Sequence, residues 1–496
     1  MPTPPRPTTL GALKASGWTG RGVREEMREN LLAAIRDGVP VEERWPGVLG
    51  YEHTVIPQIE QAVLSKHDFI LLGLRGQGKT RILRMLTRLL DDEIPALDGA
   101  PLNDDPLAPL SGPGRRLVEA HGDDAPIRWI PREERYREKL ATPDVTIADL
   151  IGDVDPIKAA SRRVTLDDEE AINFGLVPRT NRGIFAINEL PDLSQRIQVG
   201  LLNILEERDV QLRGFPVRIP LDTVLVFSAN PEDYTNRGSI ITPLRDRIAS
   251  QILTHYPKDI ETAQAITDQE AYVERRGPVE VRVPSFLREA IEETAIQARD
   301  SEFVDQTSGV SVRLTIALLE NVVSSAERRA LILGEERITA RVADLFAAVG
   351  AVTGKIELVF EGEREGPQAV AERILGQGVR AVFQRYFPAP YDGGRREEED
   401  DDDVYKPIVD WFAEGNAIVV EDQGEDDGRL LEVPTLADLV RKHLGTDGRL
   451  ADGELPAGCE LVLEGLHQAS LLGKDASHDG VTYGDMLKRM FAGFEE

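Results

Sequence analysis

Two hydrophobic rhythms run along the chain, and the change from one to the other divides it. Up to about residue 260, apolar runs of four or five residues recur: Phe69 to Leu72 (FILL), Ile127 to Ile130 (IRWI), Gly183 to Ile187 (GIFAI), Thr223 to Phe227 (TVLVF) and Gln251 to His255. Such short runs, bounded by polar or turn residues, predict strands buried on both faces, as in a parallel sheet. Segments with helical spacing separate them. Arg24 to Ile35 has one apolar face; Val55, Ile59, Ala62 and Val63 mark a helix before the first strand; Thr80 to Leu90 and Ser194 to Glu207 mark two more. From Pro284 the periodicity is purely helical, with Leu287, Ile291, Ala295 and Ala298, then Leu314, Leu318 and Val322, then Val342, Leu345 and Val349. These positions predict a small bundle. Residues 368 to 387 add a helix, and the tail mixes strand-like pieces (NAIVVED, RLLEV) with helix-like ones (TLADLVRKHL, YGDMLKRMFAGF).

Turn-forming stretches refine this plan. Residues 1 to 20 are rich in Pro and Gly, and Asp91 to Pro126 read as a surface insertion too poor in apolar periodicity to be core. Alternation on both sides of Gly214 predicts a hairpin over Val210 to Ile219. The run Glu397 to Asp403 (EEEDDDD) reads as a solvated linker. The expected organisation is an N-terminal extension with one helix (1–44), an α/β core with insertions (45–260), a helical lid (280–355) and a small C-terminal α+β extension (366–496).

Composition narrows the class. At 496 residues the chain exceeds one hydrophobic core. No apolar run approaches the roughly 18 to 20 residues that span a bilayer. The start carries no basic stretch ahead of an apolar one, so a secretory leader is not expected. Cys459 is the only cysteine, which excludes an internal disulfide and fits a reducing cytoplasm. With 58 Lys plus Arg against 87 Asp plus Glu, the net charge of −29 argues against direct nucleic-acid binding. The seven histidines show no ligand spacing.

The chemistry concentrates where the first strand ends. GLRGQGKT, Gly73 to Thr80, fits G-x-x-x-x-G-K-[ST]. Gly73, Gly76 and Gly78 let backbone N–H groups curl round a phosphate, Lys79 reaches the outer phosphate oxygens and the Thr80 hydroxyl can ligate Mg²⁺. ATP and Mg²⁺ are the expected cofactors. Asn188 and Glu189 follow the GIFAI strand, where Glu189 is placed to polarise an attacking water. Asn230 ends TVLVFSAN and can orient that water or read a γ-phosphate. Arg245 and Arg247 lie in PLRDRI and are candidates to stabilise transition-state charge in a neighbouring subunit; Arg313 opens the middle helix of the bundle and can contact nucleotide from there. Asp153 and Asp155 look like a metal pair in isolation but read better as turn residues.

In this order the motifs resemble the AAA+ ATPases, in the branch that contains the magnesium-chelatase ATPase subunit and the MoxR-type ATPases. The resemblance rests on GLRGQGKT, DLIGDVDPIKA with GLVPRTNRGIFAINE, LLNILEERDVQLRGFPVRIP, VFSANPED, PLRDRI and SVR, and covers about residues 45 to 355. It implies a P-loop core with a helical lid and ATP hydrolysis in a hexameric ring. It also implies Arg247 acting in trans, a partner bearing a von Willebrand factor A domain, and metal insertion or complex remodelling as the work done. One position departs from the family: its second motif strand ends in Asp-Glu, whereas this chain has Asn188-Glu189. An amide can still hydrogen-bond a metal-bound water but brings no charge. That leaves a nucleotide-stabilised structural ring with little hydrolysis as the alternative.

Overall fold

The computed structural model describes residues 6–166, 168–211, 218–231, 239–390, 403–421, 427–445, 448–477 and 480–486. The chain forms two compact units, Met1–His255 and Tyr256–Glu496. No described helix is long and apolar enough to cross a membrane.

The first unit is built on a five-stranded sheet: β1 (Phe69–Leu72), β2 (Tyr136–Leu140), β3 (Gly183–Asn188), β4 (Thr223–Ala229) and β5 (Ser250–Leu253). All pairings are parallel, and the order across the sheet is β5-β1-β4-β3-β2. The three central strands are buried along their whole length, which is why each reads as an unbroken apolar run. Successive side chains alternate between the two faces. Phe69, Leu71, Ile184, Ala186, Val224 and Val226 meet the helices Val23–Arg36, Val55–Leu64 and Lys79–Met85. Ile70, Leu72, Phe185, Ile187, Leu225 and Phe227 meet the helix Gln195–Glu206 on the other face.

The second strand of the sheet is not the one expected. Ile127–Pro131 is a strand, but it pairs antiparallel with Glu93–Leu97 in a separate ribbon. The sheet position belongs to Tyr136–Leu140 (YREKL), a polar edge strand with one neighbour, where burial demands no apolar run. Its Glu138 is tied to Arg84 beyond the glycine loop at 3.0 Å, which holds the carboxyl below its ordinary range. Asp91 to Pro126, expected as surface, contributes to a small core of Leu10, Leu13, Leu97, Ala125 and Ile127. Asp104 within it is fully buried because its carboxylate accepts from the Leu110 and Ser111 amides at 2.8 and 2.9 Å. The hairpin of residues 210 to 219 exists as Asp209–Gln211 against Arg218–Pro220, its turn lying outside the described residues. The acidic run at 397–403 and the end of the last helix-like piece also fall largely outside them.

Where one N-terminal helix was expected there are three, Leu10–Ala15, Val23–Arg36 and Val41–Arg44. The second is fastened by charge. Arg135, 1% exposed, grips Glu26 with two hydrogen bonds of 2.7 and 2.5 Å and donates through Nε to the Arg182 carbonyl. At the start of the helix the Asp222 carboxylate accepts the Val23 N–H at 2.9 Å, although burial raises its pKa.

In the second unit one apolar core runs from Phe286 to Tyr483. It joins the bundle helices Ser285–Asp300 and Arg313–Leu333 to Pro367–Tyr386, Leu436–Leu444 and Leu455–Gln468, and to an antiparallel three-stranded sheet of Ile418–Glu421, Gly480–Gly484 and Gly473–Ser477. The crossing of Ser285–Asp300 with Pro367–Tyr386 depends on Gly378, where a Cβ would stand 2.6 Å from Thr294 Oγ1 and 3.0 Å from the Ala290 carbonyl. RLLEV is not a strand; Asp427–Leu430 is a helical turn.

Removing one partner of the Glu26–Arg135 pair strands a buried charge. Glu26→Ala is therefore expected to cost about 3–5 kcal/mol of stability, read from urea unfolding of the full chain. Combining it with Arg135→Met should restore part of the loss; a single variant within 1 kcal/mol of wild type, by order of magnitude, contradicts this account.

Candidate functional site

The strand order brings the polar residues together. β1 lies between β5 and β4, and its C-terminal end opens into the glycine loop; the tips of β3 and β4 lie alongside. Gly76 and Gly78 take left-handed conformations, φ 75° and 70°, where a side chain would be strained. Gly73 is required for a different reason. A Cβ there would fall 1.8 Å from Thr254 Oγ1 and 2.1 Å from Gln77 Oε1. These two groups form the buried support of the loop, the Thr254 hydroxyl donating to Gln77 Oε1 at 2.6 Å. Beneath it the Tyr51 hydroxyl lies 2.9 Å from the Gln77 carbonyl and 2.7 Å from the His255 carbonyl, clamping the loop to the segment after β5.

Lys79 begins the following helix and is 7% exposed. Its ammonium donates to the Gly73 carbonyl, to the Leu74 carbonyl at 3.0 Å and to Asn230 Oδ1 at 3.0 Å. The loop lysine and the residue at the tip of β4 are thus in direct contact. Thr80, next on the helix, is half-buried. Asn188 ends β3, largely buried, and its Oδ1 accepts from the Ser228 hydroxyl at 3.1 Å. The Glu189 N–H donates to the same Ser228 oxygen at 3.4 Å. Glu189 itself sits at φ 55°, ψ 51°, a left-handed conformation that costs a non-glycine residue about 1–2 kcal/mol. The chain from Glu189 N–H through Ser228 to Asn188 helps hold that turn, and it lifts Glu189 out of the strand direction at the mouth of the site.

The remaining predicted residues divide. Arg247 is engaged within its own chain, its guanidinium 2.6 Å from Glu206 Oε2 and donating to the Pro243 carbonyl at 3.0 Å. Arg245, on the same helix Thr242–Arg247, is exposed and has no ion pair among the described residues. Arg313 is the exposed first residue of Arg313–Leu333 in the second unit. Asp155 caps the helix Pro156–Arg162 by accepting from the Ile157 and Lys158 amides, and Asp153 accepts from the Val154 amide; they serve the turn. No group of three or more His, Cys, Asp or Glu among the described residues is arranged to hold a metal.

Spacing missed Gln77, Thr254, Tyr51 and Ser228. Gln77 occupies a variable position of the motif, Thr254 and Tyr51 are remote in sequence from it, and Ser228 hides inside an apolar strand. The residues fit a bound nucleotide. A Cβ at Gly78 would meet nothing within 4 Å, and the adjacent Lys79 brings a buried positive charge.

A parallel sheet of order β5-β1-β4-β3-β2, with the glycine loop after β1 and polar residues at the tips of β3 and β4, is the P-loop α/β fold that the resemblance to AAA+ ATPases implies. No family model matches the chain. It is similar to an archaeal Lon protease of Archaeoglobus fulgidus, 23% identical over 357 residues, a stretch covering 56% of this chain and 56% of the relative. The chain thus spans about half the length of that relative. Among solved structures it is similar to a magnesium-chelatase complex of subunits BchI and BchD, at 20% identity and TM-score 0.30, covering 72% of this chain and 99% of that one. NtrX from Brucella abortus in complex with ATP matches at 14% identity and TM-score 0.34, covering 72% and 67%. At these values the likenesses carry no argument about activity, and the fold stands on its own strand order.

Gly73→Ala is expected to displace Gln77 and Thr254 and weaken adenine-nucleotide binding at least about tenfold, by calorimetry. Gly78→Ala meets only backbone strain, about 1–2 kcal/mol without a steric clash, and should weaken it less. Equal affinities in both variants would show that the Thr254–Gln77 support is dispensable.

Proposed function

We propose that this chain is an ATP-binding, ATP-hydrolysing AAA+ motor that works as an oligomeric ring and remodels a partner complex. The observation that carries the reading is the convergence of Lys79, Asn230 and the Asn188-Glu189 pair at the ends of three neighbouring strands beside the glycine loop. The Lys79 ammonium, which donates to the Gly73 and Leu74 carbonyls and to Asn230 Oδ1, is positioned to trade these contacts for phosphate oxygens. Nucleotide-bound Mg²⁺ would supply charge stabilisation, with the Thr80 hydroxyl and, through water, Asn188 as its protein contacts. Glu189 would accept the proton of the attacking water, and Asn230, linked to Lys79, would register the occupant of the loop. Resemblance to the family implies Arg313 as a further nucleotide contact.

The two arginines of Thr242–Arg247 have unequal prospects in trans. Arg247 would first have to leave Glu206, whereas Arg245 already faces solvent. Resemblance to the magnesium-chelatase and MoxR branch supports a hexamer and a partner with a von Willebrand factor A domain, with assistance to metal insertion as one form of the work; the single cysteine supports a cytoplasmic location. A second reading, a nucleotide-stabilised ring that scarcely turns over, is favoured by one observation: Asn188 is neutral and held by another neutral group, Ser228.

Steady-state phosphate release tests both readings. Lys79→Ala and Glu189→Gln should each lower turnover at least about a hundredfold, Glu189→Gln with nucleotide binding intact; turnover surviving Glu189→Gln removes the glutamate from the proposed role. For the arginines, Arg245→Ala should impair turnover without weakening nucleotide binding, and more severely than Arg247→Ala. Asn188→Asp separates the motor from the structural ring, since a large gain in rate favours the ring and an unchanged rate the motor.

A further inference from the structure

The second unit contains a cleft of about 810 Å³ that the nucleotide chemistry does not use. One wall is the parallel pair Glu280–Arg282 and Arg337–Thr339, another the end of the helix Arg313–Leu333, and a third the segment around Asp452 to Ala457. Four arginines line it, Arg282, Arg329, Arg337 and Arg341, together with the carboxylates of Glu280, Glu335 and Asp452. In a chain of net charge −29 this gathering calls for a reason.

Two of the four are built into the floor. Arg329 and Arg341 are 6% and 4% exposed. Arg329 is fixed through Nη2, which donates to the Thr339 carbonyl and to Asp344 Oδ2, each at 2.9 Å; Arg341 Nη2 donates to the Glu421 carbonyl. In both, the buried Nε–H has no hydrogen-bond acceptor. A buried donor left unpaired costs about 1–3 kcal/mol; both Nε atoms are closed off from solvent, so contact with a ligand in the cleft falls to the Nη groups. The nearest acid to Arg341 is Glu460, whose Oε1 lies 3.7 Å from Nε and is also without a hydrogen bond. Complete burial raises the pKa of the Glu460 carboxyl, while Arg341 and the Ala343 N–H, donating to its Oε2 at 3.0 Å, act the other way. Arg282 donates to the Asp452 carbonyl at 3.0 Å and has no carboxylate within ion-pair distance among the described residues. Only Arg337 meets an acid at the rim, Glu280 at 3.0 Å, where both side chains are exposed and the pair contributes little.

We propose that this cleft binds a phosphate-type oxyanion, carried by free phosphate or pyrophosphate or by the phosphates of a nucleotide. Planar guanidinium forks held rigidly by backbone carbonyls match the oxygens of a tetrahedral anion better than flexible ammonium groups would. The volume accommodates a ligand of nucleotide size or smaller. Such a ligand would join the helix that begins at Arg313 to the segment 452–457 across the cleft.

Isothermal titration of the full-length chain carrying Lys79→Ala, which disables the phosphate loop, tests the site with sodium pyrophosphate and, separately, ADP as probes. Saturable pyrophosphate binding is expected, weakened about tenfold by Arg282→Glu at an exposed position and at least as much by Arg341→Gln. Should Arg341→Gln lose its folded circular dichroism, Arg282→Glu alone decides. The component sensitive to Arg282→Glu identifies the source: ADP tighter than pyrophosphate marks a nucleotide, the reverse a free oxyanion. Absence of saturable binding in Lys79→Ala, or binding indifferent to Arg282→Glu, overturns the proposal.

Discussion

Lys79 reaches from the glycine loop to Asn230, and much of the first unit's architecture maintains that 3.0 Å contact. A lysine ammonium on a flexible stem has many places to go. It is held here because the loop carbonyls of Gly73 and Leu74 take its other protons. The loop in turn keeps its shape because Gln77 is seated on Thr254 and Tyr51. Asn230 is within reach only because β1 and β4 are adjacent although more than 150 residues separate them, Leu72 standing opposite Ala229. A parallel sheet makes such neighbours of distant segments, and it places their C-terminal ends, where backbone leaves the ladder, on one edge.

Around this point the first unit spends buried charge on position as well as on stability. Arg135 and Glu26 lie inside the protein and bind the N-terminal helix to the segment between the ribbon and β2. A hydrophobic pair of the same volume would hold the helix as firmly. What the ion pair adds is direction: two parallel hydrogen bonds, with a third to the Arg182 carbonyl just before β3, set the helix at one height on the sheet. The Ser228 hydroxyl works on the same principle at smaller scale, accepting from Glu189 and donating to Asn188.

The second unit follows another logic. Its core is continuous from the bundle into the tail, and close helix crossings at Gly378 and at Gly465, where a Cβ would meet the Phe383 ring at 2.3 Å, are what make that continuity possible. Segments that read as a lid and an appended module are packed together in one core with the helix that begins at Arg313.

Local patterns determined the central strands β1, β3 and β4, most helices, the glycine loop and the places of Glu189 and Asn230 at strand ends, because complete burial and tight turns each impose residue types at fixed short spacing. Edge strand β2 was illegible for the opposite reason: with solvent on one side, YREKL carries no burial signal, and the more apolar Ile127–Pro131 was read in its place. The buried Asp104 and the helical start of the chain were missed likewise, since their burial rests on partners far away in sequence. Tertiary structure alone decided that Lys79 meets Asn230, that Ser228 ties Asn188 to Glu189, that Arg247 is engaged by Glu206 while Arg245 is not, and that four arginines share one cleft. Each is a contact between segments whose spacing along the chain says nothing of their distance in space.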